Sequence, residues 1–202
     1  FNPKEIKYLF LTHAHIDHIG LIPKLKKEGF NGKIFATSAT VDLCKIMLED
    51  SAHVNLMETE LENKRRLREG LPPRNPLYTI EDAYACYPLL LGMDYGQKYE
   101  VEEDISVKFR DAGHIIGSAS IEVYIQEGDK KLKIIFSGDI GQKDVPIIKN
   151  PEVMSDADYV LIESTYGDRL HTDIGMRDEI LLQYINETYK KNGKLIIPSF
   201  AL

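Results

Sequence analysis

Cysteine is scarce in this chain: Cys44 and Cys86 are the two among 202 residues, far apart and without a CxxC spacing. They offer no thiolate metal site and suit a reducing compartment, so two buried helical thiols in a cytoplasmic protein are expected. No apolar run reaches the roughly 18 to 20 residues that a membrane-spanning helix needs, and FNPKEIKYLF lacks a basic stretch followed by a long apolar one. A soluble protein without a membrane partner is the expectation. Positive charge is not in surplus either: 25 Lys and Arg face 32 Asp and Glu, for a net charge of −7. An overall positive field for nucleic acid is therefore missing, although a local distribution can overrule the total. Repeats and low-complexity tracts are absent. None of Ser118, Ser137 and Ser199 sits in a GxSxG elbow, which argues against a serine hydrolase.

What is present is an ordinary globular composition, 43% hydrophobic and 28% charged, in a chain long enough to bury a core. Residue 1 is Phe, and the sequence stops at KLIIPSFAL, just after an apolar stretch of strand type. Part of a longer protein is expected on those grounds.

The order of elements reads as α/β. KYLFLT is a short strand, GLIPKLKKEGF a helix with Pro23 in its first turn and Gly29 near its end, and KIFAT a second strand after Asn31-Gly32. Ser38 is placed to cap a helix running to about Glu69, in which Val41, Cys44, Met47, Leu48, Leu56, Leu61 and Leu67 carry the apolar pattern. The Pro-rich stretch 71–76 is a candidate linker, and TIEDAYACYPLLL reads as a further helix capped by Thr79. Beyond residue 98 the pattern alternates: ISVKFRDAG, SIEVYIQEG, KLKIIFSGD, DYVLIEST and KLIIPSF read as strands, with a helix from about Gly175 to Tyr189 before the last.

Histidine is distributed unevenly. Three of the six histidines fall in HAHIDH, residues 13–18, in a loop between a strand and a helix. DAGHIIGSAS with His114 and FSGDIG with Asp139 also follow strands, where α/β scaffolds carry their working groups. Imidazoles and carboxylates are the ligand set of zinc and similar divalent ions, and alternate residues of an extended loop aim two imidazoles at one ion. His13 and His15 fit that geometry, with His114 as a third nitrogen. Asp17 and His18, on the next turn, would face a second ion, and Asp139 could bridge the two. Such a pair can activate one water for attack on phosphorus or a carbonyl carbon. His53 reads as a structural or surface histidine, His171 as an even choice between site and surface, and Lys64, Arg65, Arg66 and Arg68 as a solvated helix face rather than a phosphate site.

HAHIDH resembles the HxHxDH motif of metallo-β-lactamase fold hydrolases. AGHIIGSAS, FSGDIG and ESTYGDRLH look like the later motifs of the β-CASP nuclease branch, which includes the mRNA 3′-end cleavage endonuclease, ribonuclease J and prokaryotic RNA-processing exonucleases. The match runs in order from residue 7 to 202. The resemblance implies a four-layer αββα sandwich, here partial, lacking its opening strands, the β-CASP domain and the C-terminal part. Residues 1–202 would be the metallo-β-lactamase domain, with 199–202 beginning the connection into the β-CASP domain. It also implies a first zinc on His13, His15 and His114, a second on Asp17 and His18, and Asp139 on both. Asp17 and Glu163 would be catalytic, Glu163 by supporting a histidine of the β-CASP domain. The expected activity is hydrolysis of phosphodiester bonds in RNA, with single-stranded DNA and homodimer formation left open. A piece of this extent would be inactive alone. A hydrolase of small thioesters or lactones on the same sandwich, and a non-catalytic RNA-binding subunit, are the competing readings.

Overall fold

The computed structural model describes residues 1–170 and 174–199. KYLFLT supplies β1 (Tyr8–Phe10) and KIFAT supplies β2 (Lys33–Thr37), which pair in parallel. β2 lacks polar alternation because both its faces are covered. Ile34 and Ala36 are buried in a core with α1 (Ile16–Ile19), α2 (Ile22–Lys27) and the first half of α3 (Ser38–Arg68), while Phe35 belongs to a second core between two sheets.

The helix expected over TIEDAYACYPLLL is a correction. Only α4 (Ile80–Tyr84) forms, with Thr79 and Asp82 closing a capping box, and Cys86 lies in a turn beyond it. Pro88 has no N–H to give Tyr84 and its ring would clash with that carbonyl, so the helix stops there. The leucine run instead becomes β3 (Leu90–Met93), parallel to β2. Thr37, not Ser38, caps α3: its hydroxyl accepts the Thr40 N–H at 3.2 Å. Nor is 71–76 a linker. Asn63 both donates to the Arg74 carbonyl and accepts its N–H, and the Arg66 guanidinium donates to the Pro72 carbonyl, pinning the stretch to α3.

The second sheet holds β4 (Lys98–Glu102), β5 (Ile105–Asp111), β6 (Ala119–Glu127), β7 (Lys130–Phe136) and β8 (Tyr159–Leu161) in that spatial order. The first four are antiparallel and β8 joins β7 in parallel. Val107, Phe109, Ala119 and Ile121 meet Phe35 between the sheets, and Phe10 stacks on Phe35 at 5.4 Å. Residues Phe1–Glu163 thus form one compact unit of helix, sheet and sheet. Ser164–Leu202 form a second, with α5 (Arg177–Lys190) where a helix was expected. Residues 194–199 form no strand, and Phe200 lies outside the described residues. An apolar run sets a tendency, whereas a strand exists only through hydrogen bonds to a neighbour. No helix among the described residues is long and apolar enough to cross a membrane.

β6 alternates as expected, yet Glu122 is 1% exposed. Lys133 reaches one of its carboxylate oxygens at 2.7 Å, and Arg110 and Tyr124 reach the other at 3.1 and 3.0 Å. Burial alone would raise this carboxyl, but the hydrogen bonds from Lys133, Tyr124 and Arg110 outweigh it and hold the group below its ordinary range. Glu122→Ala is expected to cost about 2–3 kcal/mol, less than the removal of one partner from a wholly buried pair, because both cations keep some access to water. With its folded pKa depressed, Glu122 stabilises the fold above the unfolded value of about 4.3 and loses that contribution as pH falls through the folded value. Urea melts should show the gap between wild type and Glu122→Gln narrowing below about pH 4; a gap that widens there would contradict this assignment.

Candidate metal centre

The three loops picked out in the sequence meet at one end of the sheets. β1 runs directly into Thr12 and His13, and the Ala119 N–H at the start of β6 donates to the Thr12 carbonyl at 2.7 Å. His15 is the residue before α1, with its carbonyl accepting the His18 and Ile19 N–H groups, so Asp17 and His18 lie on the first helical turn. His114 sits in the β5–β6 loop. Its N–H and that of Ile115 both donate to the buried Ser118 hydroxyl, at 3.0 and 3.2 Å. Thr37 and Thr40 donate to the Gly117 carbonyl and tie the same loop to the start of α3.

Asp139 follows β7. Gly138, at φ +57°, presses so closely on Thr12 that an added Cβ would lie 2.6 Å from the Thr12 Cβ, which leaves no room for any side chain. The Gly141 N–H donates to the Ala112 carbonyl at 2.8 Å, joining the Asp139 and His114 loops backbone to backbone.

Ligand atoms of His13, His15, His114 and Asp139 all lie within 4.8 Å of one another. His13 Nε2 is 3.0 Å and His114 Nε2 3.2 Å from His15 Nδ1. Donors about 2.0–2.1 Å from a tetrahedral ion stand roughly 3.3 Å apart, so the spacing fits such an ion. One Asp139 oxygen lies 3.6 Å from both His13 and His114, and the other lies 3.4 Å from His18 Nε2. Asp17 is 3.5 Å from the same His18 nitrogen. The Thr12 hydroxyl is 3.1 Å from His13 Nδ1, leaving Nε2 to face the cluster. Burial first, and then the imidazoles of His18, His15 and His114, push His13 down to about 3. Burial and the His114 ring likewise lower His15. Both rings are thus kept neutral, the form that ligates a metal.

The sequence profile described as "Metallo-beta-lactamase superfamily" matches residues 1–159. The chain belongs to the metallo-beta-lactamase superfamily. Within the superfamily, a ribonuclease of Thermus thermophilus is 34% identical over all of this chain and 42% of its own length. A transcription termination factor of Methanococcus maripaludis is 31% identical over all of this chain and 30% of its own length. An endoribonuclease of Neurospora crassa is 28% identical over all of this chain and 22% of its own length. The chain thus spans less than half the length of these relatives. The resemblance drawn from HAHIDH and the later motifs is borne out by these matches, and the superfamily's fold is the expected one.

All six residues picked as ligands come together at this centre: His13, His15, His114 and Asp139 directly, His18 against Asp139, and Asp17 against His18. Glu163 is at its edge, accepting the Ile140 N–H at 2.5 Å. His53 is exposed on α3, away from the cluster, and His171 lies outside the described residues. Of the basic run, Arg65 pairs with Glu69 at 3.2 Å and Arg66 is spent on the Pro-rich stretch, in keeping with a helix-surface role. Sequence reasoning missed Thr12, Ser118, Gly138 and Gly141. Their signal was position alone, since each lies within four residues of a metal-type side chain in HAHIDH, GHIIGS or SGDIG.

Proposed function

We propose that the protein is a zinc-dependent nuclease that hydrolyses phosphodiester bonds in RNA. His13, His15 and His114 would hold one ion, Asp17 and His18 a second, and Asp139 would touch both. The observation that carries this reading is the Asp139 carboxylate, whose two oxygens face two different nitrogen groups. Bound together, the ions would supply an activated water and offset charge on the phosphoryl oxygens. The chain's own part is to orient: Thr12 sets the His13 ring, Ser118 the His114 loop, and Gly138 lets the backbone that carries Asp139 pass close to Thr12. Two of the relatives are named as a ribonuclease and an endoribonuclease, which supports RNA as the substrate. We further take residues 1–202 as a metallo-β-lactamase domain, with 199–202 leading into a β-CASP domain whose histidine would work with Glu163.

The intact protein should bind zinc and cut RNA labelled at its 5′ or 3′ end. Cleavage should be lost on chelation and restored by zinc, with DNA offered alongside. Turnover of thioesters with no cleavage of either nucleic acid would overturn the reading, as would a folded protein that takes up no metal.

A further inference from the structure

We infer that Glu163 is a positioning residue for the Asp139 loop, a role that rests on the metal-centre reading but is separate from any proton transfer. Residue 163 holds the loop at both ends. Its N–H donates to the Ser137 hydroxyl at 3.1 Å, and that hydroxyl in turn donates to the Gly138 carbonyl at 2.5 Å. Its carboxylate accepts the Ile140 N–H. The Ser137 N–H donates to the Leu161 carbonyl at 2.9 Å, so β8 delivers residue 163 to this place in register with β7. Asp139 is therefore bracketed between two anchored backbone groups. Without them, the turn from Gly138 to Ile140 would have its N–H and C=O groups satisfied only by water, and the carboxylate that faces His13, His18 and His114 would lose its fixed aim.

The requirement at position 163 is an acceptor oxygen, not a proton or a charge. Glutamine provides one in the same place and alanine does not. A group that holds a ligand in place typically changes metal affinity by about 10–100-fold when removed. The test compares wild type, Glu163→Gln and Glu163→Ala of the intact protein by zinc affinity, measured by chelator competition. Hydrogen exchange of the peptide containing Ile140 provides a reading that needs no metal. Glu163→Ala is expected to bind zinc at least about ten-fold more weakly and to exchange Ile140 faster. Glu163→Gln should stay within about three-fold of wild type on zinc and keep Ile140 protected, whatever its activity. If both variants bind zinc like wild type and differ from it only in turnover, the inference is overturned and Glu163 acts in chemistry alone. Equal loss of affinity in both also overturns it, because charge would then be the operative property. A wild type that binds no zinc overturns the metal-centre reading itself, and this inference with it.

Discussion

Asp139→Ala is expected to lower RNA cleavage by the intact protein on the order of 10³-fold or more, equivalent to about 4 kcal/mol of transition-state stabilisation. Its carboxylate faces both nitrogen groups with separate oxygens: one is 3.6 Å from His13 and His114, the other 3.4 Å from His18. Removing it takes a ligand from each proposed ion and the shared negative charge that lets two cations approach each other. The side chain is only partly buried, so the fold should survive the change. Metal content by elemental analysis, together with cleavage of end-labelled RNA, checks this. A variant that keeps both its zinc and its cleavage would show that Asp139 is not the shared ligand.

Gly141→Ala should have the second-largest effect, although residue 141 bears no functional group. A Cβ there would stand 1.5 Å from the Gly113 carbonyl oxygen and 2.7 Å from the His114 nitrogen. Both are backbone atoms that cannot swing aside as a long side chain can. The loops carrying His114 and Asp139 must therefore part, and the hydrogen bond from Gly141 to Ala112 goes with them. Zinc affinity should fall by about 100-fold, the upper range for disturbed ligand support, and thermal stability should drop by several degrees. Gly70→Ala serves as the control: its Cβ meets nothing within 4 Å, while its φ of +71° still imposes strain. It should lose about 1 kcal/mol of stability with no change in zinc affinity. Unchanged zinc affinity in Gly141→Ala would show that the two loops do not depend on each other.

The elements most legible in the sequence were those whose local pattern agrees with their tertiary surroundings. The β-type runs ending at HAHIDH, at DAGH and at FSGD all formed strands, with the polar residues just beyond them. TIEDAYACYPLLL misled because its leucines fit either period, and only the pairing of Leu90–Met93 with β2 settles the matter. In the second half of α3, Leu61 and Leu67 keep the helical pattern but stay exposed, since the sheet beneath covers only the first half. Periodicity describes a helix face and says nothing of how far its partner extends. Glu122 alternates with the apolar residues of β6, and only the tertiary structure shows it buried as the acceptor for two cations brought by β5 and β7.

What the sequence determined by itself was the chemistry. Three histidines and an aspartate in HAHIDH, with His114 and Asp139 after later strands, name an oxygen and nitrogen ligand set, because side-chain donor types do not depend on folding. Only the tertiary structure decided that these donors, up to 126 positions apart (139 − 13 = 126), converge, and which Asp139 oxygen faces which imidazole. The same holds for the groups that aim them: Thr12, Ser118, Gly141 and Glu163 act through hydrogen bonds and close approach. Those interactions depend on atoms a few ångströms apart in space, and a linear sequence carries no distance between residues that are not neighbours.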